Sequence, residues 1–205
     1  MMRGWSHVIM FFVALIACSF LIGESDSALE KIATSVYSTG VLVLFGVSSI
    51  YHRVYWKKPA TREFIGRLDH SAIYIMIAGG FTPVCLLVLP DPSGYRLLLA
   101  IWVITVVGIL KSLFFTIPKW MSSVFYMLMG FLALPYFSTL WELLEGRMMG
   151  LLIAGGVAYC VGAICYALKR PQLIQHVFGY HEVFHMLVNI GAILHYFMVY
   201  AIIKR

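Results

Sequence analysis

Seven stretches of this 205-residue chain are each long and apolar enough to cross a lipid bilayer, which leaves few folds open to it. A hydrocarbon core calls for about 20 mainly apolar residues per spanning helix. By that measure the segments run from Ser6 to Ile22, Leu29 to Tyr51, Asp69 to Leu89, Tyr95 to Phe115, Met121 to Leu140, Met148 to Leu168 and Tyr180 to Ile203. Breakers separate several of them: Pro90-Asp91-Pro92-Ser93-Gly94 ends the third, Pro118 stops the fourth and Lys169-Arg170-Pro171 stops the sixth. Pro135 predicts a kink near the end of the fifth. The loops are too short for a second domain, so the expected fold is all-α, one seven-transmembrane helix bundle over residues 1–205.

Composition agrees: 61% of residues are hydrophobic and only 12% charged, too apolar a balance for a soluble globule. The net charge of +6 does not point to nucleic acid, because the basic residues cluster between the apolar runs, where they set topology and meet anionic lipid headgroups. Cys18, Cys85, Cys160 and Cys165 sit inside apolar segments without a CxxC pair and read as small buried hydrophobes. The run from Arg3 to Cys18 resembles a lipoprotein signal, but Ser19-Phe20-Leu21-Ile22 extends it to a length suited to spanning.

Orientation follows from the basic residues. With the N-terminus inside, ten fall on the cytoplasmic side: Arg3, Arg53, Lys57, Lys58, Arg62, Arg67, Lys111, Lys119, Lys169 and Arg170. Five fall outside: Lys31, Arg96, Arg147, Lys204 and Arg205. The expectation is N-terminus in, C-terminus out.

On this map His52 ends the second segment, Asp69 begins the third and His181 and His185 begin the seventh, all at the inner face. Three imidazoles and a carboxylate thus share one membrane depth. His181 and His185 stand one helical turn apart, a spacing that suits two ligands of one metal ion. Ser48 precedes His52 by four residues and shares its face one turn deeper, where the plain alternative is a hydroxyl bonded to its own helix carbonyls. His70 faces about 100° away from Asp69 and reads as packing. His176 lies in a loop, and His7, at the start of the first segment, is assigned no role. His195 lies about 21 Å deeper than His181 on nearly the same face, too far for the same metal, and is expected to face the bundle interior. Asn189 shares that face as a candidate supporting donor, and Lys111 can snorkel to the boundary.

His181-Glu182-Val183-Phe184-His185 also matches the H-E-x-x-H pattern of zinc proteases, in which the Glu is the general base. Only twenty residues follow His185 and none is a carboxylate, so a third ligand must come from upstream, and the protease reading fits poorly. His52 supplies that ligand. Three neutral imidazoles with an open position form a catalytic zinc pattern that acidifies bound water to a pKa of about 7. Asp69, at the same level, is the expected proton acceptor. Glu182, about 100° off the histidine face, is the weaker candidate; its other reading is a carboxylate favoured by the helix dipole.

Ser48-x-x-x-His52, Arg67-Leu68-Asp69-His70-Ser71 leading to Gly79-Gly80-Phe81-Thr82-Pro83, and His181-Glu182-Val183-Phe184-His185, in that order, resemble the haemolysin III family, the bacterial branch of the progestin and adipoQ receptor group. The resemblance covers nearly the whole chain. It implies a seven-helix bundle in the bacterial inner membrane, with zinc near the cytoplasmic face held by His52, His181 and His185. Asp69 would hold the metal-bound water and Ser48 would stand close by. The wider superfamily includes alkaline ceramidases, which hydrolyse a lipid amide, and bacterial relatives have been tied to membrane fluidity.

Two classes of function follow as expectations. The first is a zinc-dependent hydrolase, or hydrolase-like sensor, acting on an acyl amide or ester of membrane lipids, with Asp69 as base and Ser48 orienting water or stabilising an oxyanion. The second is a non-catalytic membrane protein in which zinc clamps the second and seventh segments; a cytolytic pore is a further alternative.

Overall fold

The computed structural model describes residues 4–115, 118–174 and 177–205, with the side chain of Lys119 outside the description. Arg3 and His176 therefore lie outside the described residues. In hydrocarbon no water satisfies the backbone, so a spanning segment closes its hydrogen bonds within itself as a helix. The chain follows that rule: α1 (Trp5–Gly23), α2 (Ala28–Arg53), α3 (Pro59–Leu87), α4 (Ser93–Phe114), α5 (Lys119–Gly130), α6 (Phe137–Leu143), α7 (Gly146–Leu168) and α8 (Tyr180–Ile203). The fifth crossing, Trp120–Leu143, joins α5 to α6 through a 3-10 turn at Phe131–Tyr136. Pro135 lies in that turn, so the expected kink takes the form of a tightened segment between two helices. Among the described residues seven helical crossings result, the all-α bundle that the apolar runs predict.

The third crossing differs most from the expectation. Asp69 does not begin it: α3 starts ten residues earlier, at Pro59, where a proline fits because its missing N–H is one the helix start would leave unbonded. The first turns of α3 are polar and exposed, so the apolar ruler reads them as loop although the backbone is already helical. A short antiparallel pair, Gln172–Ile174 with Phe178–Gly179, precedes α8 and was not foreseen; at two and three residues it is below what side-chain alternation can reveal.

Capping sets several ends. Ser27 Oγ accepts from Glu30 N–H at 3.2 Å while Glu30 Oε2 accepts from Ser27 N–H at 3.1 Å, a reciprocal box that starts α2. At the same pole, Lys204 Nζ pairs with Glu24 Oε2 at 2.8 Å, and Arg205 donates to the carbonyls of Leu87 and Leu143, so the last residues of the chain tie α1, α3 and α6 together.

The bundle is built on extensive packing of α2 against α3 and of α7 against α8. Gly40 and Gly79 let α2 and α3 meet backbone to backbone: a Cβ on Gly40 would lie 3.0 Å from the Ile75 carbonyl, and one on Gly79 3.1 Å from that of Val36. This crossing fixes how α3 presents Asp69 to His52. Gly79→Leu is expected to lower the midpoint of thermal unfolding in detergent, at a cost of about 1–3 kcal/mol from forced separation of the two helices; an unchanged midpoint would show that the approach is not needed.

Candidate metal centre

His52 stands in the last turn of α2, and His181 and His185 in the first two turns of α8. Their nearest ligating atoms all lie within 4.8 Å of one another. His52 Nε2 and His181 Nε2 are 3.2 Å apart. Two ligands of a tetrahedral zinc, each with a Zn–N distance of about 2.0–2.1 Å, stand roughly 3.3 Å from each other, so this pair is spaced as one ion requires. The ring centroids of His52 and His185 are 5.1 Å apart and those of His181 and His185 4.6 Å. Three imidazole donors from two helices far apart in sequence can hold a metal ion.

Asp69, from α3, brings Oδ2 to 3.9 Å from His52 Nε2. The Ser48 hydroxyl, buried one turn below His52, donates to that carboxylate. Its neighbour Ser49 instead bonds back to the Phe45 carbonyl at 2.6 Å, the fate that Ser48 escapes by facing α3. The grouping expected from the sequence is thus brought together: Ser48, His52, Asp69, His181 and His185 all line one cavity.

The remaining polar residues sort themselves by partner. Glu182 is buried and its Oε2 accepts from Gly179 N–H at 3.0 Å, serving the N-terminus of α8 as the dipole reading anticipates. His70 Nδ1 contacts the Gly66 carbonyl at 2.7 Å and its own carbonyl accepts from the Tyr126 hydroxyl, while the residue also lines the cavity. Lys111 Nζ donates to the Tyr74 hydroxyl at 3.3 Å. His195 Nε2 meets the Leu152 carbonyl at 3.2 Å. Asn189 is buried with its Oδ1 unbonded among the described residues.

His7 is the residue that sequence reasoning missed. It is 2% exposed, and its ring lies flat on that of His185, with centroids 3.9 Å apart and planes 9° from parallel. The edge of Phe45 meets it at 5.1 Å, and the His7 ring also lines the cavity beside the site. Among the described residues neither ring nitrogen meets a partner at hydrogen-bond geometry, and the nearest polar group is the His185 backbone. The start of α1 is shaped to bring it there. Gly4 takes a φ of +83°, a left-handed conformation that glycine adopts freely, and a Cβ on it would lie 2.6 Å from His52 Cβ. Trp5 receives the Arg53 guanidinium over its ring at 4.2 Å. Spacing along one helix cannot signal such a contact, since it arises between the first crossing and the last.

The cavity holds about 1020 Å³. Beyond the histidines its walls turn apolar, with Leu44, Ile77, Phe81, Val84, Leu140 and Val188. Leu134 and Phe137 of the fifth crossing, and Ile153 and Val157 of α7, line it while also reaching the outer surface of the bundle. The cavity therefore reaches the side of the bundle at these two crossings, and it also reaches the surface beside the histidines, where exposed Arg53, Tyr55 and Arg62 line it.

Comparison with known proteins places the chain. A family model described as Haemolysin-III related matches residues 1–196. "Hemolysin-3" of Bacillus cereus is 32% identical over 188 residues, covering 91% of this chain and 82% of the relative. The "Hemolysin-3 homolog" of Bacillus subtilis (strain 168) is 31% identical over 198 residues, covering 95% and 89%. A human relative, "Monocyte to macrophage differentiation factor", is 27% identical over 207 residues, covering 98% and 83%. With its seven helical crossings and this match along nearly its whole length, the chain is a multi-pass membrane protein of the haemolysin-III-related family.

Proposed function

We propose that this protein is a zinc-dependent hydrolase acting on an acyl amide or ester of membrane lipids, with the metal held by His52, His181 and His185. One observation carries the reading: a three-imidazole cluster with a carboxylate beside it opens on an apolar cavity that reaches the lipid-facing surface. Few sites need both a cation-binding head and a hydrocarbon-lined body unless the ligand has both parts. The donor set fits zinc, since neutral imidazoles are its common ligands and three of them leave a coordination position open. Zinc, when bound, would act there as a Lewis acid toward a carbonyl and lower the pKa of water.

The residues of the chain would do the rest. Asp69 accepts a proton beside the centre, within reach of His52. Ser48, donating to Asp69, would hold that carboxylate in place beside the centre. The apolar wall and sideways opening let a lipid chain enter without crossing water, and aligning its head with Asp69 is worth a large part of a hydrolytic barrier. Residues 1–205 act as one seven-helix domain in the bacterial inner membrane. The basic-residue bias supports an N-terminus in the cytoplasm and a histidine cluster near the cytoplasmic face.

A second reading has its own support. Apart from the histidines and the Tyr37 hydroxyl on the Ala192 carbonyl, α2 and α8 make little contact with each other, so a metal joining His52 to His181 and His185 would be a clamp between them. In that case the protein senses or regulates membrane state without turnover.

Purified protein is expected to hold about one zinc per chain by elemental mass spectrometry, and His52→Ala, His181→Ala and His185→Ala each to lose most of it. Full retention in any of the three would remove that residue from the site. Against a panel of acyl amides and esters, Asp69→Asn should keep its zinc and lose turnover by about 10²–10⁴-fold. Turnover equal to wild type would dismiss Asp69 as the base, and no turnover by a zinc-loaded wild type would leave the clamp.

A further inference from the structure

We propose that Tyr159 and His195 form a second ligand subsite deep in the cavity, one that reads an oxygen function carried partway along the chain of a bound lipid. The inference rests on the lipid reading above and adds to it the class of chain: hydroxylated or otherwise oxygenated rather than plain hydrocarbon. Both residues line the cavity, at the end away from the histidine cluster. Both are enclosed by the bundle yet keep intermediate accessible surface, so the surface they show is turned to the cavity.

They are also seated with care. Gly155 on α7 forms the notch for the His195 ring, since a Cβ there would strike it, and Gly191 on α8 forms the notch for the Tyr159 ring. The two rings meet edge to face, with centroids 5.3 Å apart. Part of this is ordinary glue between helices, because His195 Nε2 bonds the Leu152 carbonyl. That bond, however, decides what is left over. A carbonyl only accepts, so Nε2 carries the hydrogen and Nδ1 remains an acceptor.

Tyr159 is not explained by packing. Its hydroxyl makes no hydrogen bond among the described residues, although Tyr37, which lines the same cavity, lies near enough for the two phenols to interact. Phenylalanine would fill the same notch without placing an unpaired O–H in the membrane core, where such groups find no bulk water. The subsite thus offers a donor at Tyr159 and an acceptor at His195, the two functions that a hydroxyl can satisfy.

Its distance from the centre sets where that oxygen must be. His195 lies ten residues beyond His185 on the same helix, so the two are about 15 Å apart along its axis. An extended chain advances about 1.2 Å per bond, which puts the oxygen about twelve bonds from the head.

The test compares octadecanoate with the same acid bearing a hydroxyl about twelve bonds from the carboxylate, each titrated into the full-length zinc-loaded protein in detergent and followed by calorimetry. The wild type is expected to bind the hydroxylated chain about ten-fold more tightly, the worth of a buried hydrogen bond. In Tyr159→Phe the ratio should fall to about one. Equal binding of the two acids by the wild type, or a ratio that survives in Tyr159→Phe, overturns the subsite and leaves the lipid reading standing. Binding of neither acid overturns the lipid reading, and the subsite with it.

Discussion

A polar group inside a bilayer has no bulk water to turn to, so it must be bonded within the protein or face an internal space. Many polar side chains of this bundle obey that constraint, although Ser38, Ser112 and Asn189 keep buried oxygens unbonded among the described residues. Glu182 is spent on the first turn of α8, Ser49 on its own helix, His195 on the Leu152 carbonyl and Lys204 on Glu24. What remains at one end is a group whose partners are one another: three imidazoles, a carboxylate and the serine that donates to it.

Glycine makes this convergence possible. Between α2 and α3, Gly40 and Gly79 allow the backbones to touch and so bring Asp69 level with His52. At the start of α1, Gly4 lies against His52 and sends His7 onto the face of His185. Small residues serve here as spacers that set the distance between helices, and polar chemistry follows from that distance. A stack as flat as that of His7 on His185 also fixes the plane of a candidate ligand, which is how supporting residues tune a metal site.

The apolar cavity gives the cluster its context. An imidazole cluster at a membrane boundary suits any metal-bound clamp, whereas one that opens on a hydrocarbon-lined space with a sideways mouth suits an amphiphilic ligand. The same space passes Tyr159 and His195 at mid-depth, so its chemistry is polar at one end, apolar along most of its walls and polar again farther in.

Much of this was legible in the chain itself. Seven apolar runs dictate seven helices, because a bilayer admits few other solutions, and helical spacing alone puts His181 and His185 on one face. The family motifs named Ser48, His52 and Asp69 as their companions, and all five line the same cavity. The sequence also misled where its signal was local: Asp69 looked like the start of a crossing because the turns of α3 before it are polar. Tertiary structure alone decided the rest. His7 reaches the site through a contact between the first crossing and the last, Ser48 turns to Asp69 because α3 is close enough to be reached, and the cavity exists only between crossings. Periodicity reports which residues share a face of one helix; it carries no information about which face of another helix will meet them.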